Sequence, residues 1–194
     1  MIEAELKAVV RDPEAVMSRL EDAHGPGQTE VYQDTYYDTP AGVLADGDRE
    51  LRIRTVHAVD DTRTVLTYKG ARVDAASGSK PEAQTRVEDA GAAHEIVRGL
   101  GHLPVIAFEK RCRNYSFTAE GRAMLVTLVR VPEIDGTFIE VETPATEDDV
   151  EAALAAVRAV LRGLGIEEGD LTTELYTDAV AAACRAGSPE PGAD

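Results

Sequence analysis

Residues 3–7 of the chain, Glu3-Ala4-Glu5-Leu6-Lys7, alternate charged and apolar side chains. Successive side chains of a β-strand point to opposite faces, so this alternation predicts a strand over residues 2–10 with Glu3, Glu5 and Lys7 on one face. The pattern returns near the other end of the chain, at Glu140-Val141-Glu142. Each Glu-x-Glu strand offers two carboxylates on one side, which suits hard divalent cations such as magnesium or manganese. The sequence therefore predicts a metal site bound by oxygen.

Other predicted strands also carry charge on a single face, where a buried face would be apolar. On any one strand this pattern is typical of the solvated face of an antiparallel sheet. Together the charged faces favour a closed barrel with a polar lumen, because the apolar helices can cover only the outside of the sheet. We therefore expect an antiparallel α+β protein whose sheet closes into a β-barrel with helices packed outside. The basic residues on these faces are Arg52 and Arg54, Lys69, Lys80, Arg86 and Lys110.

Turn, capping and periodicity signals divide the chain into many short elements. Asp12-Pro13-Glu14 predicts a helix start, and a Gly, Ala and Ser rich stretch at 70–79 predicts a mobile loop. We expect one domain over residues 1–186 and a disordered acidic tail over 187–194. Strands are expected at 31–39, 50–59, 63–69, 80–87, 105–113, 115–118 with 122–131, and 137–142, and helices at 89–100, 146–161 and 171–184.

Bulk composition excludes several classes of protein. The net charge of −16 argues against nucleic-acid binding, which needs Lys and Arg to neutralise many phosphates. No apolar run is long enough to cross a membrane, and the acidic N-terminus does not fit a signal peptide, so a cytoplasmic protein is expected. The cysteines, Cys112 and Cys184, lie too far apart in sequence to indicate a zinc cluster or a disulfide framework.

The charged strands also carry a family resemblance. Glu3-Ala4-Glu5-Leu6-Lys7 matches the ExExK signature of the CYTH superfamily, the triphosphate tunnel metalloenzymes, which include class IV adenylate cyclases and thiamine triphosphatases. The match continues, in order and spacing, through Asp34-Thr35-Tyr36-Tyr37-Asp38-Thr39-Pro40, Leu51-Arg52-Ile53-Arg54, Leu66-Thr67-Tyr68-Lys69-Gly70, Phe108-Glu109-Lys110 and Thr137-Phe138-Ile139-Glu140-Val141-Glu142.

The resemblance implies a fold, an eight-stranded antiparallel β-barrel with helices packed outside, and a set of functional residues. The chain is then a magnesium- or manganese-dependent enzyme that hydrolyses or cyclises ATP or another organic polyphosphate, and a homodimer. Lys7 and Lys110 are the catalytic candidates. The implied metal ligands are Glu3, Glu5, Glu140 and Glu142, and the implied phosphate-binding residues are Arg52, Arg54, Lys69, Lys80 and Lys110.

One departure from the family pattern lies on the strand of Lys110. Cys112 stands where the family usually has an arginine, between Arg111 and Arg113. Strand alternation predicts that both neighbouring arginines point away from the lumen, and only a local β-bulge would bring one of them back in. Cys112 itself is expected to be inert, because no histidine lies beside it in sequence to activate the thiol.

Two more departures affect the acidic positions. Val129 and Arg130 stand where the family has an aspartate that completes the metal site, with Asp135 in the next turn as a substitute, and Gln84 replaces a common glutamate. These changes leave a second hypothesis open: a repurposed tunnel that binds or converts a mono-, di- or prenyl diphosphate, with or without turnover.

Overall fold

The described part of the chain, residues 2–73 and 78–187 of a computed structural model, contains eight strands and five α-helices. The strands are β1 (Ile2–Val9), β2 (Gln28–Asp38), β3 (Glu50–His57), β4 (Thr62–Lys69), β5 (Lys80–Val87), β6 (Leu103–Ala119), β7 (Arg122–Arg130) and β8 (Phe138–Ala145). The helices are α1 (Pro13–His24), α2 (Val43–Asp46), α3 (Ala90–Gly99), α4 (Val150–Gly163) and α5 (Tyr176–Gly187), with a 3-10 turn at Glu168–Asp170.

The strands form a closed barrel in the order β1-β5-β4-β3-β2-β6-β7-β8, and every neighbouring pair is antiparallel. The expected eight-stranded barrel is thereby confirmed. β6 runs unbroken through Asn114, where two shorter strands were expected, because it pairs with β2 on one side and β7 on the other.

The main hydrophobic core lies between the barrel and the helices outside it. Ala4, Leu6 and Ala8 of β1 are buried together with α4, whose Leu154 and Val157 face the sheet. Burying a side chain of this size contributes about 1.5–3 kcal/mol, so the alternate charged residues are turned into the lumen by a large apolar driving force. No helix among the described residues is long and apolar enough to cross a membrane.

The barrel is weakest between β1 and β5. These strands pair only through Ile2 with Pro81 and Glu3 with Lys80. Further along β1, the free edge is taken by the chain that leads into α5, where Leu171 pairs with Ala8. The helix expected over 171–184 therefore starts only at Tyr176, because its first five residues are drawn out along the edge of β1.

Short elements and chain ends account for the remaining differences. The turn expected after β2 contains α2, which is fastened by the Asp38 carboxylate accepting hydrogen bonds from the backbone N–H groups of Leu44 and Ala45. Residues 74–77 of the expected mobile loop and 188–194 of the expected acidic tail lie outside the described residues.

Candidate functional site

The lumen contains a cavity of about 310 Å³. Strand alternation places the charged residues of six strands on its wall, while their apolar neighbours contact the outer helices. All ten residues that the sequence marked as ligands, phosphate contacts or catalytic groups line this cavity: Glu3, Glu5, Lys7, Arg52, Arg54, Lys69, Lys80, Lys110, Glu140 and Glu142.

Three of the expected metal ligands form a compact cluster. Oxygen atoms of Glu3, Glu5 and Glu142 all lie within 4.8 Å of one another. Burial, followed by repulsion from neighbouring carboxylates, raises the pKa of Glu142 well above its usual value, and the pKa of Glu5 is raised by the same causes in the same order. A partly buried group of carboxylates that resists ionisation fits a hard divalent cation, because the cation supplies the missing positive charge.

Glu140, the fourth expected ligand, is held differently. Its carboxylate accepts a hydrogen bond from the Lys110 ammonium at 3.2 Å. Burial alone would raise the pKa of Glu140, but the charges of Lys110 and Lys7 outweigh burial and lower it. The structure thus divides the expected ligands into a cluster of three carboxylates and one carboxylate that balances two lysines.

Lys69 and Arg52 lie beside the carboxylate cluster. The Lys69 ammonium is 3.1 Å from Glu3 and 3.0 Å from Glu82. Although burial opposes it, the charges of Glu5 and Glu3 raise the pKa of Lys69, so this side chain stays cationic. The Arg52 guanidinium is held loosely, 4.0 Å from Asp34, and its buried Nε donates to no described residue. Arg52 therefore has donors available for an anionic ligand.

Arg54 is fixed by a carboxylate that was not among the expected site residues. Its Nε and Nη2 donate to the two oxygens of Asp34 at 2.6 and 2.7 Å, a bidentate geometry that is among the stronger ion pairs in proteins. Burial raises the Asp34 pKa, but Arg54 and Arg52 overcome that effect and lower it to about 2. The sequence does contain a sign that Asp34 faces the lumen. It begins the family motif at 34–40, and it shares a strand face with Tyr32 and Tyr36, which line the cavity.

Lys80 occupies an acidic setting near the start of β5. Its ammonium lies 2.7 Å from Glu50 and 3.1 Å from Asp48, and only 8% of the side chain is exposed. Arg72 forms a second ion pair with Asp48 at 2.7 Å. Lys80, like Lys69, therefore has its charge balanced by two acids, and its ion pairs connect the start of β5 to Glu50 of β3 and to the turn before it.

The structure places the departures from the family pattern on the lumen wall. Cys112 is buried there, and burial raises the pKa of its thiol to about 12, which supports an inert, protonated side chain. Arg111 pairs with Glu109, and Arg113 pairs with Glu21 of α1, so both arginines lie on the outside as alternation predicts.

No carboxylate faces the lumen from β7, all of whose residues are described. On β7, Leu125 lies opposite Glu142 and Thr127 lies opposite Glu140. The β7 residues next to the two glutamates of β8 are therefore Leu125 and Thr127, and not Val129 and Arg130. Asp135 is exposed in the following turn and is not part of the cavity wall. Gln84 lies on the wall with its amide oxygen 3.4 Å from Thr67.

Sequence reasoning did not place Tyr176 in the wall of the cavity. The first turn of α5 carries it into the cavity, where its ring lies 4.4 Å from the Lys7 ammonium and 4.1 Å from that of Lys110. Nothing in the local pattern around Tyr176 signals this position, because the contact depends on where the end of the chain packs.

Comparisons with known proteins agree with this architecture. The CYTH domain model matches residues 1–176. A protein from Methanocaldococcus jannaschii named "Putative adenylate cyclase" is 23% identical over 180 residues, covering 92% of this chain and 98% of the relative. A solved protein from Pyrococcus horikoshii OT3 is 26% identical with a TM-score of 0.82, covering 93% of this chain and 98% of its own.

A third comparison shares the fold at greater distance. A Hippeastrum protein named "Putative adenylyl cyclase" and described as having a dominant triphosphatase activity is 21% identical to this chain. Its TM-score is 0.61, and the match covers 98% of both chains.

Proposed function

The chain belongs to the CYTH family, and from that membership we propose that it is a divalent-metal-dependent enzyme that breaks a phosphoanhydride bond of a nucleoside triphosphate or another organic polyphosphate. The observation that carries this proposal is the cavity itself. It joins a cluster of three carboxylates, Glu3, Glu5 and Glu142, to basic side chains along one closed lumen. Hydrolysis uses water as the nucleophile, and cyclisation would use a hydroxyl of the substrate in the same place.

The residues of the cluster would hold Mg²⁺ or Mn²⁺. Such a cation, when bound, would supply positive charge that offsets the negative charge of the phosphoryl groups. Arg52, with its available donors, and Lys69, which stays cationic, would bind the phosphoryl groups next to the cluster. Both side chains project from strands of a closed barrel, so they are positioned before the substrate arrives.

Lys7 is the proposed acid–base or orienting group. Burial lowers the pKa of its ammonium, with Glu140 and Glu5 opposing that effect. A lysine with a lowered pKa gives up its proton more readily than a surface lysine, as general acid catalysis near neutral pH requires. Lys110 pairs with the same carboxylate, with its ammonium 3.2 Å from Glu140, and would stabilise negative charge on the transferred group.

The direct test measures phosphate release and cyclic nucleotide formation from ATP, other nucleoside triphosphates and inorganic tripolyphosphate, with Mg²⁺, Mn²⁺ or a chelator. We expect turnover that requires metal and that falls at least about 100-fold in Glu5→Gln. Glu109→Gln is the matched control, because Glu109 lies on β6 outside the lumen, paired with Arg111. Failure to convert any of these polyphosphates would refute the proposal.

A second candidate function is a metal-dependent binder of a phosphorylated metabolite without turnover, and the lumen face of β7 favours it. Leu125, Thr127 and Val129 offer no carboxylate there, so the described site contains one acidic cluster and not two. Calorimetry separates the candidates. Binding of tripolyphosphate with no product after prolonged incubation supports the binder, whereas either product supports the enzyme.

A further inference from the structure

The segment that precedes α5 is fastened to β1 at the level of Lys7. Leu171 pairs with Ala8, and the Thr172 N–H donates to the Lys7 carbonyl at 2.9 Å. The Lys7 ammonium in turn donates to the backbone carbonyl of Glu174. These contacts hold residues 171–174 against β1 before α5 begins. The residues that follow therefore enter the lumen in a defined position.

This segment leads directly into Tyr176, the first residue of α5, whose side chain lines the lumen cavity. Tyr176 is 7% exposed and packs in one apolar cluster with Cys112, Val129 and Val180. The ring of Phe138 meets it edge-on, with ring centroids 5.3 Å apart. An aromatic ring held on several sides in this way has little freedom to rotate, so its hydroxyl has a fixed location.

The hydroxyl of Tyr176 is a buried donor whose interaction with the nearby Glu140 carboxylate falls short of a hydrogen bond of ordinary geometry. It makes no hydrogen bond with any other residue that the structure describes. Burial, and then Glu140, raise the pKa of the phenol well above its usual value, so it keeps its proton. Leaving a buried polar group unsatisfied is costly, and such groups are often completed by a ligand or by water.

The surroundings of this hydroxyl favour an anion. The ammonium groups of Lys7 and Lys110 lie 4.4 and 4.1 Å from the centre of the same ring, within cation–π range. The neighbouring Cys112 thiol is uncharged and gives no strong donor. A phosphoryl oxygen at this level would therefore meet two ammonium groups and one hydroxyl.

We propose that Tyr176 is a substrate-binding residue, whose hydroxyl donates a hydrogen bond to a phosphoryl oxygen while its ring holds Lys7 and Lys110 around that oxygen. The inference rests on the proposed function, since it takes the ligand to be a polyphosphate. It makes the C-terminal segment part of the binding site, although the charged residues of the site all come from barrel strands.

The test compares Tyr176→Phe with the wild-type full chain in calorimetric titrations with inorganic tripolyphosphate at a fixed Mg²⁺ concentration. Loss of a hydrogen bond to a charged group should weaken binding by about tenfold or more. Tyr115→Phe is the matched control, because the Tyr115 hydroxyl is also buried without a hydrogen-bond partner among the described residues, but in the core outside the barrel. That variant should bind tripolyphosphate as the wild type does.

A spectroscopic readout makes the result independent of variant stability. With ¹³C-labelled tyrosine in the wild-type protein, the Tyr176 ring signal should shift when tripolyphosphate is added, and the Tyr115 signal should not. Unchanged affinity in Tyr176→Phe, or an unshifted Tyr176 signal at saturation, would overturn the inference.

Turnover separates this inference from the proposed function. Wild-type protein that binds tripolyphosphate through Tyr176 but never converts a polyphosphate would refute catalysis and leave this binding role intact. Absence of any binding would overturn both.

Discussion

Replacing Glu142 with glutamine should have opposite effects on stability with and without metal. Glu142, Glu3 and Glu5 bring carboxylate oxygens within 4.8 Å of one another. At that separation two full charges repel by about 3.5 kcal/mol at an effective dielectric constant near 20. The wild type relieves part of this repulsion by taking up a proton, so we expect Glu142→Gln to stabilise the metal-free protein by about 2 kcal/mol near pH 8.

The sign of the pH dependence follows from the raised pKa. Because the pKa of Glu142 is higher in the folded protein than its ordinary value of 4.5, its contribution to stability is full below pH 4.5. That contribution is lost as pH rises through the folded pKa. The neutral amide of Glu142→Gln does not titrate, so the advantage of the variant should grow as pH rises above 4.5.

Added metal should make the wild type more stable than Glu142→Gln. A cation at 100 times its dissociation constant stabilises the folded wild type by about 2.7 kcal/mol, and the variant, which has lost one ligand, should gain much less. The assay is thermal unfolding in chelator and in Mg²⁺ or Mn²⁺ across a pH series. A stability difference of about 2 kcal/mol corresponds to a shift in Tm of about 4–8 °C in a protein of this size.

Glu140→Gln provides the contrast within the same lumen. Glu140 balances Lys110, which is 5% exposed, so removing its charge leaves a buried ammonium unpaired and should cost about 3 kcal/mol with or without metal. If Glu142→Gln instead destabilises the metal-free protein, or if the two variants behave alike, the division into a repulsive cluster and a balanced carboxylate is refuted.

Two other changes test the lumen wall. Asp34→Asn should lower the free energy of unfolding by about 3 kcal/mol, because it leaves the buried Arg54 without its partner, whereas Asp61→Asn on the surface should change it little. Since the folded pKa of Asp34 is about 2 and its ordinary value 3.8, its stabilisation is full above pH 3.8 and lost as pH falls towards 2, so the variant should show a flatter acid limb in pH-dependent urea unfolding. Cys112→Arg should destabilise the fold by about 2 kcal/mol or more, because the added side chain competes with Tyr176 for space, and a gain in turnover without loss of Tm would contradict this packing argument.

The lumen residues could be identified from the sequence because strand alternation has a period of two. Once Ala4, Leu6 and Ala8 are assigned to the apolar side, Glu3, Glu5 and Lys7 must face the other way. The same argument correctly sent Arg111 and Arg113 outside. Alternation is a local property of the backbone, so it needs no knowledge of which strands are neighbours.

The sequence was less informative about the elements that depend on contacts with distant residues. The last helix was expected from Leu171, but β1 lacks a β5 partner along Ala8 and draws residue 171 into a bridge. Asp38 secures a short helix where only a turn was expected, because its carboxylate reaches the N–H groups six and seven residues ahead. In both places a hydrogen bond satisfies a backbone polar group, and the local sequence pattern does not show which partner that group will find.

The sequence by itself determined which side chains share the lumen, and therefore the chemistry that the lumen can offer. Only the tertiary structure decided which of them meet. Pairing of β1 with β8 sets Glu5 opposite Glu142 and Lys7 opposite Glu140, which separates a carboxylate cluster from a charge-balanced pair. It also brought in Tyr176 from the end of the chain. Alternation fixes the face of a strand, whereas register and packing fix the neighbours across it, and those are set by the whole barrel.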